Sequence, residues 1–173
     1  KALIFRRGAW PTNIINGQQD GRPVRIFSTA VRKGERSSYH HTVFGFKFTG
    51  NFPHLYLNHL NNQYGTSAGT KIPLPTEFEK AFRLYAPVEY ETEALEIFTP
   101  DLLDGLLNID LQYDLELVDQ ELLIFVDGEI LNIAELEKAY NKGLELLGML
   151  APRLDRRRPA GRLCDRGHRT PPR

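Results

Sequence analysis

Apolar and polar residues alternate through much of the first third of the chain, which is typical of half-buried β-strands. The alternation is plainest in TVFGFKF, where Phe44, Phe46 and Phe48 fall on one face of the predicted strand. Short polar links such as NGQQDGRP and RKGERSSYHH separate the strand-like runs. Because these links are too short for crossover helices, residues 14 to 57 are predicted to form an antiparallel meander.

The middle of the chain predicts one strand and two short helices. EFEKAFRLYAP alternates loosely and predicts a strand that ends at Pro87, with a helix as the alternative for its first half. Residues 89 to 97 have apolar positions at helical spacing. The following TPD predicts a second helix, with Thr99 at the N-cap and Pro100 at the first helical position.

The last part of the folded region predicts a hairpin and a longer helix. YDLELVDQELLIFVDG indicates two strands that turn at Asp119 and Gln120, the second of them covered on both faces. Asn132 and Glu135 predict a capping box that opens a helix ending near Leu150. The predicted fold class is therefore α+β, an antiparallel sheet (meander plus C-terminal hairpin) with two short helices and one longer C-terminal helix packed on it.

These periodicities also predict which side chains share the core and where the domain ends. Four residues on the apolar faces of their elements are expected to be buried together, namely Phe46, Leu115, Ile124 and Leu144. The 173-residue length favours a single domain, assigned to residues 1–151. Residues 152–173 are rich in Arg and Pro and lack periodicity, which predicts a disordered tail, with a non-native origin as an alternative, whose removal leaves the melting temperature nearly unchanged.

The net charge of zero conceals an uneven distribution of basic and acidic residues along the chain. Residues 1–50 hold nine Lys or Arg against two acids, whereas residues 51–151 hold five against eighteen. A basic surface near the N-terminus is predicted to face a membrane or a partner. The residues assigned to it are Arg6, Arg7, Arg32, Lys33 and Arg36.

Apolar runs, the first residue and the cysteine content of the chain indicate how it relates to membranes and to thiol chemistry. No apolar run reaches the roughly 18 residues that a membrane helix needs. The chain begins without Met, so we interpret it as a fragment whose upstream part holds any membrane anchor. Cys164 is the only cysteine, so neither an intrachain disulfide nor an all-cysteine metal site is expected, and a nucleophile in this tail is improbable.

The chain resembles a bacterial family of unknown function that follows one or two N-terminal transmembrane helices and is frequent in candidate-phylum bacteria. The motifs that carry the resemblance are GRPVRIF, HTVFGFKFTGNFPHLYL, EFEKAFRLYAP, ALEIFTPDLLDGLL and YDLELVDQELLIFVDG. The resemblance implies an α+β domain held at the cytoplasmic face of a membrane. It implies no catalytic residues, because the shared motifs mark strands and helix caps.

Four histidines are the first candidates for chemistry. A metal site that joins His41, His54 and His59 across neighbouring strands is one hypothesis, and ordinary strand histidines are the favoured alternative. His40 and His41 are adjacent, so they point to opposite faces and do not ligate one ion from the same side.

Three further patterns fit ordinary structural roles better than chemical ones. Glu89, Glu93 and Glu96 share one helical face, which is typical of a solvated surface. GTSAGTK has its glycines too close together for a phosphate-binding loop. A thin basic and aromatic set suggests a nucleic-acid surface, although the phenylalanines are expected to face the core. That set consists of Arg22, Arg25, Arg32, Lys33, Arg36 and Lys47 with Tyr39 and Phe44, and Arg6 and Arg7 add charge.

The favoured prediction is a non-catalytic domain of a membrane-anchored protein that binds a partner protein or an anionic membrane surface. No metal, no other cofactor and no nucleic acid is expected. The alternative is an enzyme or small-ligand-binding domain with a site near the Gly-rich loop at residues 61–75, since long irregular loops often carry function. A deep polar pocket favours the alternative, and an apolar surface patch favours the binding domain.

Overall fold

The computed structural model describes residues 9–32, 38–60, 69–109 and 112–156, with the side chains of residues 31 and 32 excluded. Its strands are β1 (Pro11–Gln19), β2 (Arg22–Arg32), β3 (Ser38–His59), β4 (Thr70–Ile72), β5 (Phe82–Ala86) and β6 (Tyr113–Asp127). Its helices are α1 (Thr76–Glu79), α2 (Glu91–Ile97), α3 (Pro100–Leu107) and α4 (Ile133–Leu154), with a 3-10 turn at Val88–Tyr90. The predicted α+β class is confirmed.

The long β3 organises the sheet because every other strand joins it directly or through one neighbour. β1, β2 and β3 form the predicted antiparallel meander, and Asp20 and Gly21 at positive φ make the tight turn between β1 and β2. β6 runs antiparallel along one edge of β3. β5 pairs with the far end of β3 and carries the short β4 outside it.

The main core lies between the sheet and the helices. Every buried hydrophobic side chain of the described helices belongs to the cluster that contains Phe44, Phe46 and Phe48, so these helices cover one face of the sheet. Phe46, Leu115 and Ile124 are fully buried there as predicted, and Leu144 packs against them partly exposed. A second cluster on the opposite face contains side chains of β2, β3 and β6.

The predicted C-terminal hairpin is wrong, because its two halves form the single strand β6. Asp119 alone takes positive φ, at +55°, and lies in a bulge, since the register between β6 and β3 shifts on both sides of its partner Phe52. A two-residue hairpin turn of the common type requires positive φ at both central residues. The bulge shifts the alternation by one, so that Leu117 before it and Leu122 after it both face the helices.

The middle segment agrees with the sequence in most details. The first half of EFEKAFRLYAP is the helix α1 and the second half is β5, so both alternatives are present in succession. Thr99 and Pro100 occupy the N-cap and the first position of α3, although the Thr99 side chain makes no capping hydrogen bond. Asn132 caps α4 as predicted, accepting from the N–H groups of Ala134 and Glu135.

α4 continues past its predicted end, so the folded part extends beyond Ala151. The helix includes Pro152 and ends at Leu154, whose side chain is fully buried. The Arg22 guanidinium contacts both oxygens of Asp155, at 3.1 and 2.9 Å, and lies 3.8 Å from the ring centroid of Phe48. These contacts join the end of α4 to the sheet. Residues 157–173 lie outside the described residues.

Candidate binding groove

The chain that leaves β6 turns back across β3 and is held there by one threonine. Gly128 turns the backbone at φ +84°, a conformation that glycine adopts without a side-chain clash, and its N–H donates to the carbonyl of His40 at 2.9 Å. The buried hydroxyl of Thr42 donates to the Gly128 carbonyl at 3.2 Å and accepts from the Ile130 N–H at 2.9 Å. The connection between β6 and α4 therefore has a fixed path over the sheet.

β1 meets the same connection because a bulge redirects its first residues. Asn13 has a φ of +51°, and the register between β1 and β2 shifts between Thr12 and Ile15. The side-chain amide of Asn13 donates to Oε1 of Glu129 at 3.1 Å. One hydrogen bond thus joins segments that are 116 positions apart in the sequence.

A groove of about 250 Å³ lies between β1 and the start of α4. Its volume is below the roughly 300–1,000 Å³ of typical small-molecule sites. The space suits one or two apolar side chains of a larger partner better than a whole ligand. Its apolar walls come from Ile15, Ile26, Ile130, Leu131 and Leu136.

The rim of the groove exposes large apolar side chains. Ile15 is 53% exposed and Leu131 is 78% exposed, and Ile133 follows in the first turn of α4 with 74% exposed. Single exposed apolar residues are ordinary on protein surfaces. Here two of them line one groove and the third is two positions away in the chain, and such apolar patches are typical of interaction sites.

Ser38, His40 and Glu129 lie beside the groove in an order that resembles the triad of serine hydrolases. Oγ of Ser38 is 2.9 Å from Nε2 of His40, but Nδ1 of His40 is 3.7 Å from Oε2 of Glu129, beyond hydrogen-bond distance. The His40 side chain is also 49% exposed, and Glu129 already accepts from Asn13. We therefore interpret the three residues as a polar network on the surface.

Two fully buried carboxylates join β3 to β6 on the face opposite the helices. Asp114 accepts from the hydroxyl of Tyr56 at 2.8 Å, from the amide of Asn58 at 3.1 Å and from a backbone N–H of β3. Oε1 of Glu116 is 2.5 Å from Nε2 of His54. Buried acids that are engaged by neighbouring strands hold the sheet together, and nothing in their geometry points to a substrate.

The histidine hypothesis fails on the geometry of the sheet. His59 packs against Phe82 on the helix side, whereas His54 contacts Glu116 on the other side. Within the described residues, no three His, Cys, Asp or Glu side chains are grouped to hold a metal ion. Burial lowers the pKa of both His41 and His59, which favours their neutral forms.

The predicted basic surface falls almost entirely outside the described residues. This applies to Arg6, Arg7, Lys33 and Arg36. Arg32 is the last residue of β2, where its backbone pairs with Ser38. That surface stays a prediction.

The remaining sequence candidates do not form a second site within the described residues. Glu89 and Glu96 are exposed and Glu93 is half-buried. Residues 61–68 of the Gly-rich loop lie outside the described part, and the rest of that segment includes β4. Phe44 is buried beneath α4, with two ring carbons 3.4 and 3.8 Å from the position that a Cβ on Gly143 would occupy, so it is not available to stack on a base.

The comparisons with known proteins show a fold but no family. No protein-family model matches the chain, and no curated protein sequence matches it. Among solved structures, the fold is similar to that of the mycobacterial trehalose monomycolate transport factor A, TtfA, with a TM-score of 0.57. The two sequences are 13% identical, and the similarity covers 81% of this chain and 74% of that chain. At this identity the likeness is one of fold alone.

Among the described helices, none combines the length and the apolar composition needed to span a membrane.

Proposed function

We propose that this protein is a non-catalytic binding domain and that the groove between β1 and α4 receives an apolar segment of a partner protein. The observation that carries the proposal is the exposed apolar rim around a groove with fixed walls. The hydrogen bonds of Thr42 and Asn13 hold the two walls in place without a ligand. A preformed surface loses less conformational entropy on binding than a mobile loop does.

The charges beside the groove favour a protein partner over an anionic lipid surface. Glu129 precedes the lining residue Ile130, and Glu135 precedes Leu136. Both carboxylates are acidic neighbours of the apolar rim, and like charges repel an anionic bilayer. A partner segment that combines large apolar residues with Lys or Arg fits this surface best.

The attachment to a membrane and the cytoplasmic side are further parts of the proposal. They rest on the family resemblance and on the basic residues of the first 50 positions. Basic segments next to a membrane helix are retained on the cytoplasmic side. In this arrangement the basic end faces the bilayer and the groove remains available to a partner.

A peptide selection tests the groove directly. A phage-displayed library of random peptides is selected on the protein and counter-selected on Leu131→Glu, and the dissociation constants of the enriched peptides are then measured. The proposal predicts peptides with large apolar residues whose affinity falls at least about tenfold in Leu131→Glu, because a buried charge would face an apolar ligand.

Val88→Glu is the matched control, since Val88 is 68% exposed and does not line the groove. Its affinity for the same peptides should equal that of the unchanged protein. Peptides that bind both variants equally well would place the binding surface elsewhere. If the protein binds anionic vesicles and no peptides, and if high salt abolishes that binding, a membrane surface is favoured over a protein as the partner.

A further inference from the structure

We infer that the outer edge of β1 pairs with β1 of a second copy of this chain, which makes a two-fold symmetric dimer. This inference goes beyond the proposed function, because it uses the strand edge and not the groove. An exposed strand edge presents unpaired N–H and C=O groups and is a template for another strand. The question is which edge of this sheet is open to such pairing.

Three strands have a single paired neighbour among the described residues, and two of them are protected. β4 is three residues long and includes Lys71, and short, charged edges resist pairing. Three acids of β6, namely Asp119, Glu121 and Asp127, are at least partly exposed and would repel a second copy. β1 has nine residues, PTNIINGQQ, and none of them is charged.

The composition of β1 fits self-pairing better than pairing with an arbitrary partner. In a short antiparallel pair of identical strands, the charges of the two copies are brought close together, and like charges opposite one another are destabilising. A strand without charge avoids this repulsion. In a pair centred on Gly17, Asn16 of each copy lies opposite Gln18 of the other, and their exposed amides carry both donors and acceptors, so the two are able to bond to each other.

The geometry limits the strength of the dimer. The bulge between Thr12 and Ile15 leaves residues 15–19 in regular register, a length of about 17 Å. An interface built on so short a strand belongs to the small, weak class. The dimer is therefore expected to form at micromolar or higher concentration and to exchange with the monomer.

Sedimentation equilibrium over a wide range of protein concentration tests the inference. The average mass of the species in solution should rise from 19.8 kDa, the mass of one chain, towards twice that value as the protein concentration increases. In the double variant Asn16→Glu/Gln18→Glu, the dimer dissociation constant should rise at least about tenfold, because four carboxylates then meet at the new interface. Asn16 lies opposite Arg25 on β2, so the variant keeps a favourable neighbour within its own chain.

Gln112→Glu is the control, because Gln112 is exposed and lies outside β1. It should dimerise like the unchanged protein. A monomer at every concentration overturns the inference, and so does a dimer that responds equally to both changes. If the double variant fails to fold, hydrogen exchange of the unchanged protein decides: residues 15–19 must gain protection with concentration, and constant exchange there overturns the inference.

Discussion

Ile124 and Ile133 show how the same side chain contributes differently according to its place in the fold. Ile124 is fully buried on β6, and its Cδ1 lies 3.9 Å from the position that a Cβ on Gly143 of α4 would occupy. Ile133 begins α4 with most of its surface in solvent. The first therefore contributes to the core and the second to the surface around the groove.

Replacing Ile124 by Ala should lower the free energy of unfolding by about 2–5 kcal/mol, because the change leaves a cavity between β6 and α4. Urea denaturation measures the loss. Ile133→Ala deletes the same atoms from an exposed position and should change stability by less than about 0.5 kcal/mol. A loss below about 1 kcal/mol at Ile124 would contradict the packing described for the core.

The buried histidines predict how stability depends on pH. Burial lowers the pKa of His41 and of His59 below the usual 6.5, and Asp127 opposes the effect at His41 only in part. Between each lowered pKa and 6.5, the unfolded chain binds more protons than the folded chain does. Stability therefore rises with pH in this window and is lost as the pH falls below about 6.5.

The free energy of unfolding is expected to change with pH by at most about 1.4 kcal/mol per pH unit for each histidine. Urea unfolding at about pH 7 and about pH 5.5 measures it, above the range in which most carboxylates titrate. His41→Gln should make the dependence shallower by removing one of the two groups. Equal stability at both pH values would show that these histidines are not held neutral by burial.

β6 shows at the scale of an element what the sequence predicted and what it did not. Alternation identified both halves of the strand correctly, because side chains of a strand alternate between its two faces. The change of phase at Asp119 was interpreted as a turn, whereas the structure accommodates it by a bulge opposite Phe52. A local pattern does not distinguish the two, since the choice depends on the length of the partner strand β3.

The end of α4 predicts an effect of truncation that the sequence alone did not. Removing the chain after Ala151 deletes the buried Leu154 and the contact between Arg22 and Asp155. The free energy of unfolding should fall by at least about 2 kcal/mol, since the loss includes a fully buried leucine.

Truncation after Arg156 is the matched control for this change. It retains every described contact of α4, so urea denaturation should give the stability of the full chain. Equal stability after both truncations would mean that the last turn of α4 contributes little to the fold, as the sequence analysis had expected.

At the scale of the whole molecule, the groove is the feature that the sequence could not reveal. Its walls come from β1, β2, β3 and the start of α4, and the bond between Asn13 and Glu129 spans 116 positions. Strand and cap signals extend over a few residues, so they predicted the elements that build the groove. They did not predict the register that brings those elements together. The large apolar residues Leu131 and Ile133, which follow a strand and are exposed in the structure, were the one local sequence feature that pointed to the groove.

A map of amide chemical shifts in the protein with and without a selected apolar peptide tests whether the groove is the binding surface. We predict that the perturbed amides lie at Asn13, Ile15 and Thr42 and in residues 129–136, on both walls of the groove, while α2 and α3 remain unchanged. Perturbations confined to α2, α3 or β4, with none in the groove, would contradict the proposal that this surface is where the protein binds its partner.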